Sequence, residues 1–213
     1  DVPSGGSGGR AATGKLIVSL DKLVVTDGIQ LTGFRGDFGQ SGGISGAFQA
    51  SVNGVAQVVG SVIPSRHGTA VRIQSKDAGR VLAAAGLFKT VGGGSLDLQL
   101  TPRAEKGHYD GAAQMRNLRV RGASALAELL SAISVVGLLE QLNGDGILFS
   151  EASTEFVLTP QAVEVTRGSA VGASLGVSVA GLYGTKTKRL ALQGVVSPVY
   201  LINGIGAALA SLG

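Results

Sequence analysis

The sequence predicts a mainly β protein built on one curved antiparallel sheet, with two or three short helices that plug or cap it. Apolar and polar residues alternate with a period of two through most of the chain, as in strands with one buried face. Glycine accounts for 35 of the 213 residues and recurs at the ends of these runs and inside them, which is typical of turns, bulges and curved sheets. Only three segments replace the alternation with helical spacing.

Composition narrows the class of protein. An apolar fraction of 44% excludes a disordered chain, and the lack of cysteine excludes disulfides and thiolate metal sites. The net charge of +4 is spread thinly. Its one compact cluster, Lys186, Lys188 and Arg189, is interpreted as a solvated hairpin turn, with contact to an anionic headgroup or to nucleic acid as the alternative. No aromatic residues interleave with these cations, so we expect no nucleic-acid partner.

The predicted organisation is a linker followed by one domain. Residues 1–14 read as linker, and residues 15–213 as a single β-groove domain that belongs to a longer protein. The longest apolar run, 129–139, is shorter than the roughly 20 residues of a membrane-spanning helix.

About a dozen strands are predicted, most of them joined by turns of hairpin length, so the sheet should be an antiparallel meander. Asn53-Gly54 is the strongest hairpin signal in the chain. The predicted strands are 15–25, 29–38, 44–52, 55–63, 69–74, 95–100, 108–122, 147–158, 162–168, 173–181 and 188–196.

Three helical segments interrupt the strands. The first, 77–89, is capped by Asp77, and the second, 124–142, by Ser124, with a kink or division between residues 134 and 137. The third helix, predicted for 198–210, begins at Pro198, which suits the first turn of a helix. The first two helices belong to two weak strand–helix–glycine–strand repeats, near 70–122 and 123–196.

Catalytic signals are weak. His67 and His108 lie in polar, glycine-flanked contexts that are typical of loops. Ser41 in GQSGG matches the G-x-S-x-G pattern, but a nucleophile elbow needs a helix after the serine, and a strand pattern follows here. We therefore expect no enzyme, no catalytic residue, no cofactor and no metal, and a hydrolase remains a distant alternative.

Aliphatic residues on separate predicted strands share one alternation phase. Such rows suit either the core of an ordinary sandwich or the lining of an open trough. The scarcity of aromatic residues and the glycines on the strands count against a closed core. The candidate lining residues are Leu96, Leu98, Leu100, Phe156, Leu158, Val163, Val165, Leu175, Val177, Val179, Leu190 and Leu192.

Three segments, taken together, resemble the AsmA-like C-terminal region of bacterial envelope proteins. The first resembling segment is DAGRVLAAAGLFKTVGGGSLDLQL (77–100), and the second is LLSAISVVGLLEQLNGDGILFSEASTEFVL (129–158). The third is SLGVSVAGLYGTKTKRLALQGVVSPVYLING (174–204), so the resemblance covers most of residues 70–210. The first 70 residues match only as generic strands, and the family's run beyond the Asn-containing helix is absent.

The resemblance implies an open, taco-like β-groove lined with aliphatic residues. It also implies a periplasmic location, as part of a longer protein anchored in the inner membrane. The groove would bind the acyl chains of phospholipids and help to move phospholipid between the inner and outer membranes. The alternative is a non-transporting scaffold or assembly factor for the envelope, with envelope proteins as partners.

The C-terminal segment is expected to contact a membrane surface or a partner. From Val199 onward the chain carries no charge, which is unusual for a helix facing solvent. The residues on the apolar side of the predicted helix are Tyr200, Leu201, Ile205 and Leu209.

Overall fold

The computed structural model describes residues 14–26, 28–40, 42–132, 136–185, 187 and 189–198. Within these residues the chain forms twelve strands and three helices. The strands are β1 (Lys15–Thr26), β2 (Ile29–Gly39), β3 (Ser45–Val52), β4 (Ala56–Ser65), β5 (Gly68–Ser75), β6 (Val91–Gly92), β7 (Ser95–Pro102), β8 (Tyr109–Val120), β9 (Ile147–Leu158), β10 (Ala162–Gly172), β11 (Leu175–Gly184) and β12 (Leu190–Pro198). The helices are α1 (Ala78–Ala84), α2 (Ser124–Ala132) and α3 (Val136–Asn143).

All twelve strands belong to one antiparallel sheet. Its order is β1-β2-β3-β4-β5-β7-β8-β9-β10-β11-β12, and the short β6 pairs with β8. The predicted antiparallel meander is therefore confirmed. Within the described residues β1 pairs only with β2 and β12 only with β11, so the sheet is open and has two free edges.

The strand ends form two unlike margins of this sheet. At one margin, the hairpin end, short turns follow β2, β4, β7, β9 and β11. At the opposite margin, the helix end, the chain leaves β5 to form α1 and leaves β8 to form α2 and α3. Both helical excursions thus rise from the same margin, because β5 and β8 both run toward it in the antiparallel order.

Asn53 ties three segments together at the helix end. Asn53 and Gly54 both have positive φ, 49° and 73°, as the predicted Asn-Gly hairpin turn requires. The Asn53 side-chain Oδ1 accepts a hydrogen bond from the Gln30 N–H at 2.8 Å. Its Nδ2 donates to the carbonyl oxygens of Gly28 at 2.9 Å and Ala84 at 2.7 Å. One side chain therefore links the β1–β2 turn, the β3–β4 turn and the end of α1.

Helix α1 begins as predicted and ends early. The Asp77 side chain accepts a hydrogen bond from the Arg80 N–H at 2.9 Å, which confirms the cap. The helix stops at Ala84 and does not continue to residue 89. The reason is Gly86, whose φ of 72° is left-handed, and the Leu87 N–H donates to the Leu82 carbonyl oxygen at 2.9 Å. This is the geometry of a glycine C-terminal cap.

The second predicted helix is divided into α2 and α3, with residues 133–135 between them outside the described residues. Ser124 is already the first residue of α2, so its predicted role as the preceding cap is wrong. The Ala127 N–H donates to the Ala123 carbonyl oxygen at 2.9 Å, which starts the helical hydrogen bonding one residue earlier. The third predicted helix was expected to begin at Pro198, but Pro198 is the last residue of β12, and residues 199–213 lie outside the described residues.

Bulges let the sheet curve. Register shifts interrupt the β2–β3 ladder near Gly33, whose φ is 58°, and the β10 ladders between Val165 and Gly168. Helix α1 contacts both β4 and β8, although β5 and β7 lie between these strands. Three strand spacings measure roughly 14 Å, so α1 covers about four strands at this margin.

Candidate functional site

Strand register brings the predicted lining residues onto one face of the sheet, here called the groove face. Directly paired residues in an antiparallel sheet point to the same side. Such pairing can be followed across six strands. One row runs through Leu100, Gly111, Phe156, Val165, Gly181 and Leu192.

The rows on either side complete the set. One row contains Leu98, Ala113, Thr154, Gly168 and Val179, another contains Leu96, Met115, Ala152, Ala170 and Val177, and a third contains Tyr109, Leu158, Val163, Tyr183 and Leu190. Leu175 follows β10 directly and lies two residues before Val177 on β11, so it shares that face. All twelve predicted residues therefore lie on the groove face.

The first five strands extend the groove face with residues that the prediction missed. The ladders from β2 to β7 connect them to the rows described above. Alternation alone could not place them all, because the Gly33 bulge puts Leu31 and Phe34 on the same side although they are three residues apart. The added residues are Leu16, Val18 and Leu20 on β1, and Leu31, Phe34, Phe38, Phe48, Ala50, Val52, Ala56, Val58, Val62, Val71 and Ile73 on β2–β5.

The helix end of the groove face is covered. Ile147 and Leu175 are completely buried there, together with Leu130 of α2 and Leu142 of α3. Nearer to β4, on the same face, Ala78 and Val81 of α1 belong to the same buried cluster as Leu96 and Val58. This margin therefore has the burial of an ordinary hydrophobic core.

Over β7–β12 the hairpin end of the same face is not covered, whereas Phe38 near the hairpin end of β2 is buried. Leu100, Phe156, Leu158, Val163 and Val165 are only half-buried. Leu190 and Leu192 are 59% and 40% exposed. Strands that present aliphatic side chains on one face, with no second layer over them among the described residues, leave a shallow apolar surface in contact with solvent.

Glycines let phenylalanine rings lie flat on the groove face. A β-carbon at Gly60 would overlap the ring of Phe48, and one at Gly111 would overlap the ring of Phe156. Each ring thus covers the backbone of the neighbouring strand and adds little height above it. The rings of Phe34 and Phe48 also stack, with centroids 5.1 Å apart. The result is a thin lining, which keeps the space above the sheet free.

Few polar groups interrupt the groove face. Thr154 is half-buried, and its Oγ1 is enclosed without a hydrogen-bond partner among the described residues. Tyr109 and Tyr183 occupy the row closest to the hairpin end, separated by Leu158 and Val163. A tyrosine has an apolar ring and a polar hydroxyl, so this row suits the boundary between an apolar surface and water.

The opposite face of the sheet carries ion-paired charged side chains together with exposed aliphatic ones such as Ile17, Val59 and Ile63. Arg72 and Asp97 form an ion pair there, with Arg72 Nε donating to Asp97 Oδ1 at 2.8 Å and Gln74 donating to Oδ2 at 3.0 Å. The hydrogen bond from Arg72 is the main reason why the pKa of Asp97 is lowered. A shallow depression over β1–β5 is lined partly by Arg35, Gln49 and Arg72 of this face. The charge on this face contrasts with the aliphatic groove face, so the two sides of the sheet suit different surroundings.

The remaining sequence candidates are two histidines in described turns and residues that lie outside the described part of the chain. His67 and His108 occupy hairpin-end turns, as predicted. The GQSGG segment joins β2 to β3, so a strand and not a helix follows it, and Ser41 itself lies outside the described residues. Lys186 and Lys188 also lie outside the described residues, and so do the four predicted contact residues Tyr200, Leu201, Ile205 and Leu209.

Two features are absent from the described part of the chain. It contains no group of three or more His, Cys, Asp or Glu residues placed to hold a metal ion. None of its helices has both the length and the apolar character that crossing a membrane requires.

Comparison with protein-family models, with curated proteins and with solved structures found no significant match to this chain.

Proposed function

We propose that the groove face binds the acyl chains of phospholipids and helps to move phospholipid between the inner and outer membranes of a bacterial envelope. One observation carries the proposal: twelve aliphatic or aromatic residues chosen from sequence lie on one face of an open sheet, and most of them are only partly buried. The resemblance of residues 77–100, 129–158 and 174–204 to the AsmA-like C-terminal region supports the same function and a periplasmic location.

The chemistry of binding would be passive. Apolar burial contributes about 25 cal/mol per Å² and has no preferred direction, so an acyl chain can slide along the face without breaking directional bonds. Headgroups would stay in water beyond the hairpin-end row that contains Tyr109 and Tyr183. No covalent step is needed, and the groove face offers no acid–base pair for one.

The size of the face suits more than one lipid. Eleven strands lie side by side, and their ten spacings of roughly 4.8 Å give a face about 48 Å long. One leaflet of a bilayer contributes about half of the ~30 Å hydrocarbon core. The groove face is thus about three times as long as the acyl chains of one lipid.

Val177→Asp tests the proposal against a matched control on the same strand. Val177 is half-buried on the groove face, while Ser178 is exposed on the opposite face. We expect Val177→Asp to reduce the phospholipid retained by the purified chain in native mass spectrometry and to keep a cooperative thermal transition. Ser178→Asp should retain lipid like the unchanged protein. A lipid-free wild-type chain, or loss of folding in Val177→Asp, would contradict an open lipid-binding groove.

A non-transporting envelope scaffold is the second candidate, and the free sheet edges favour it. Strand β12 carries no charged residue, and Leu190 and Val195 are 59% and 63% exposed. Natural proteins usually protect such edges with charges, prolines or bulges. A partner strand could therefore add to this edge and close the groove. A lipid-free chain that cross-links to another envelope protein through β12 would favour the scaffold.

The C-terminal segment is proposed to contact a membrane or a partner. Its apolar candidates Tyr200, Leu201, Ile205 and Leu209 follow β12 in a stretch without charge. Flotation with liposomes of the chain with and without residues 199–213 tests this contact. Equal flotation of both forms, or flotation of neither, would remove the contact from the proposed function.

A further inference from the structure

Leu87 and Phe88 form an exposed apolar tip after α1. The chain has six phenylalanines, and the structure describes all of them. Five lie on the groove face and are buried or half-buried, whereas Phe88 is 50% exposed and its neighbour Leu87 is 47% exposed. Phe88 is therefore the exception in a protein that otherwise keeps its aromatic rings against the sheet.

The tip is held in place by backbone and side-chain hydrogen bonds. The left-handed Gly86 turns the chain, and the N–H groups of Gly86 and Leu87 donate to the carbonyl oxygens of Ala83 at 3.0 Å and Leu82 at 2.9 Å. Asn53 anchors the end of α1 through the Ala84 carbonyl oxygen at 2.7 Å. Exposure of Leu87 and Phe88 is therefore a consequence of a defined helix end.

One valine from a neighbouring segment adds to the tip. Val55 lies in the β3–β4 turn, two residues after Asn53, and is 58% exposed. We call these three residues, Val55, Leu87 and Phe88, the apolar corner, since Asn53 of the same turn is hydrogen-bonded to the end of α1.

The chain around the tip is basic. Between β5 and β7 it carries the cations Lys76, Arg80 and Lys89, all exposed, and a single acid, Asp77. Asp77 caps α1 and lies 3.6 Å from Arg80 Nε, so its charge is already partly compensated. An apolar tip with flanking cations is typical of segments that sit at the interface of a membrane with anionic lipids.

The area of the apolar corner argues against a protein partner. Three partly exposed side chains offer a few hundred Å² at most, whereas a stable protein interface buries about 800 Å² on each partner. Reversible attachment to a bilayer needs only a few inserted apolar side chains and some nearby positive charge.

We propose that the apolar corner docks on a lipid bilayer that contains anionic headgroups, with Leu87 and Phe88 inserted among the lipids and Lys89 at the headgroups. This inference rests on the proposed function, since a groove that exchanges phospholipid has to meet a membrane. It adds the place of contact, at the helix end next to the free edge strand β1.

The test is flotation of the full chain with vesicles of phosphatidylcholine alone or of phosphatidylcholine mixed equally with phosphatidylglycerol. We expect binding to the mixed vesicles, weaker binding at high salt, and a fall of about tenfold or more in the partition coefficient for Leu87→Ser/Phe88→Ser. Lys89→Glu should weaken binding to the mixed vesicles and leave binding to the phosphatidylcholine vesicles unchanged. Ile63→Ser is the control, because Ile63 is 59% exposed near the hairpin end and should not change binding.

Several outcomes would overturn the inference. It is wrong if the chain binds neither vesicle, if the double variant binds like wild type, or if the corner instead mediates a dimer that the double variant abolishes in light scattering. Thermal melting of the double variant shows whether a loss of binding is only a loss of folding, and Phe88→Ser alone then serves as the milder change. Native mass spectrometry distinguishes failure of this inference from failure of the proposed function. If the chain carries phospholipid but its vesicle binding is unchanged by the corner substitutions, only the docking site is contradicted.

Discussion

The two margins of the groove face share one sheet and one alternation pattern, yet they differ in what lies above them. At the helix end Leu130, Leu142, Ile147 and Leu175 are fully removed from solvent. At the hairpin end Leu190 is 59% exposed, and its neighbours in the same row are half-buried. Over β7–β12 the side chains of the two margins are alike, so their burial depends on whether a helix lies above them and not on residue type.

Because of this difference in burial, the two margins contribute differently to folding. Full burial at the helix end contributes most of the hydrophobic free energy of folding per residue, at about 1.5–3 kcal/mol for each large side chain. Half-exposed residues at the hairpin end have lost only part of their contact with water, so apolar surface remains there for the proposed acyl chain to bury. The structure therefore combines a core that holds the sheet with an apolar face that stays partly exposed.

Introducing a charge should produce the largest difference in stability loss between the two margins. Ile147→Asp places an unpaired carboxylate in the helix-end core, and we expect a loss of more than about 4 kcal/mol in the free energy of unfolding. Leu192→Asp, at a site that is 40% exposed on the same face, should cost about 1 kcal/mol or less. Chemical denaturation measures both. Similar losses for the two variants would mean that the hairpin end is covered in solution.

Asn53→Ala tests how firmly the helix end is assembled. The substitution removes three side-chain hydrogen bonds and places alanine at a φ of 49°, so we expect a loss of about 2–4 kcal/mol. Asn53→Gly keeps the backbone conformation accessible and isolates the hydrogen bonds, and it should cost less. Hydrogen exchange should increase first in α1 and the β1–β2 turn. Unchanged exchange there would contradict the linking role of Asn53.

Gly111→Ala tests the thin lining at the open margin. A β-carbon at this position would overlap the Phe156 ring, so the ring must lift away from the sheet at a cost of about 1–3 kcal/mol. The lifted ring should also reduce the lipid retained in native mass spectrometry. Gly176→Ala is the control, because its β-carbon would lie 3.8 Å from the nearest atom, the Ser197 carbonyl oxygen. Equal behaviour of the two variants would show that the ring does not need the glycine.

The ion pair on the opposite face of the sheet should have the smallest effect and should leave both margins unchanged. Arg72 lowers the pKa of Asp97, so the pair stabilises the folded chain at neutral pH. That contribution disappears as the pH falls through the lowered pKa, below about pH 4. Asp97→Asn should therefore flatten the acid side of the Tm profile without altering lipid retention at pH 7. A change in lipid retention would link the opposite face to the groove.

Much of the sheet was predictable because strand alternation is a local property of the backbone. Leu98 and Leu100, or Val177 and Val179, point the same way whenever the chain is extended, so their common face could be inferred from spacing. The Asn53-Gly54 hairpin and the Asp77 cap were also predictable from the sequence, since each depends on residues only a few positions apart. The helix end at Ala84 was missed, because the left-handed Gly86 competes with an apolar run that favours continuing the helix.

The sequence by itself determined which side chains share a face, and the tertiary structure alone decided which of them are covered. Alternation cannot tell Ile147 from Leu192, since both are aliphatic residues on the apolar side of a strand. Their different burial comes from the packing of α2 and α3 over the helix end, and from the Gly33 and Val165–Gly168 bulges that interrupt the ladders. The same applies to Phe88, which looks like a core residue in the sequence. Its exposure follows from where Gly86 and Asn53 hold the end of α1, because burial depends on packing between distant segments while side-chain direction depends only on local backbone geometry.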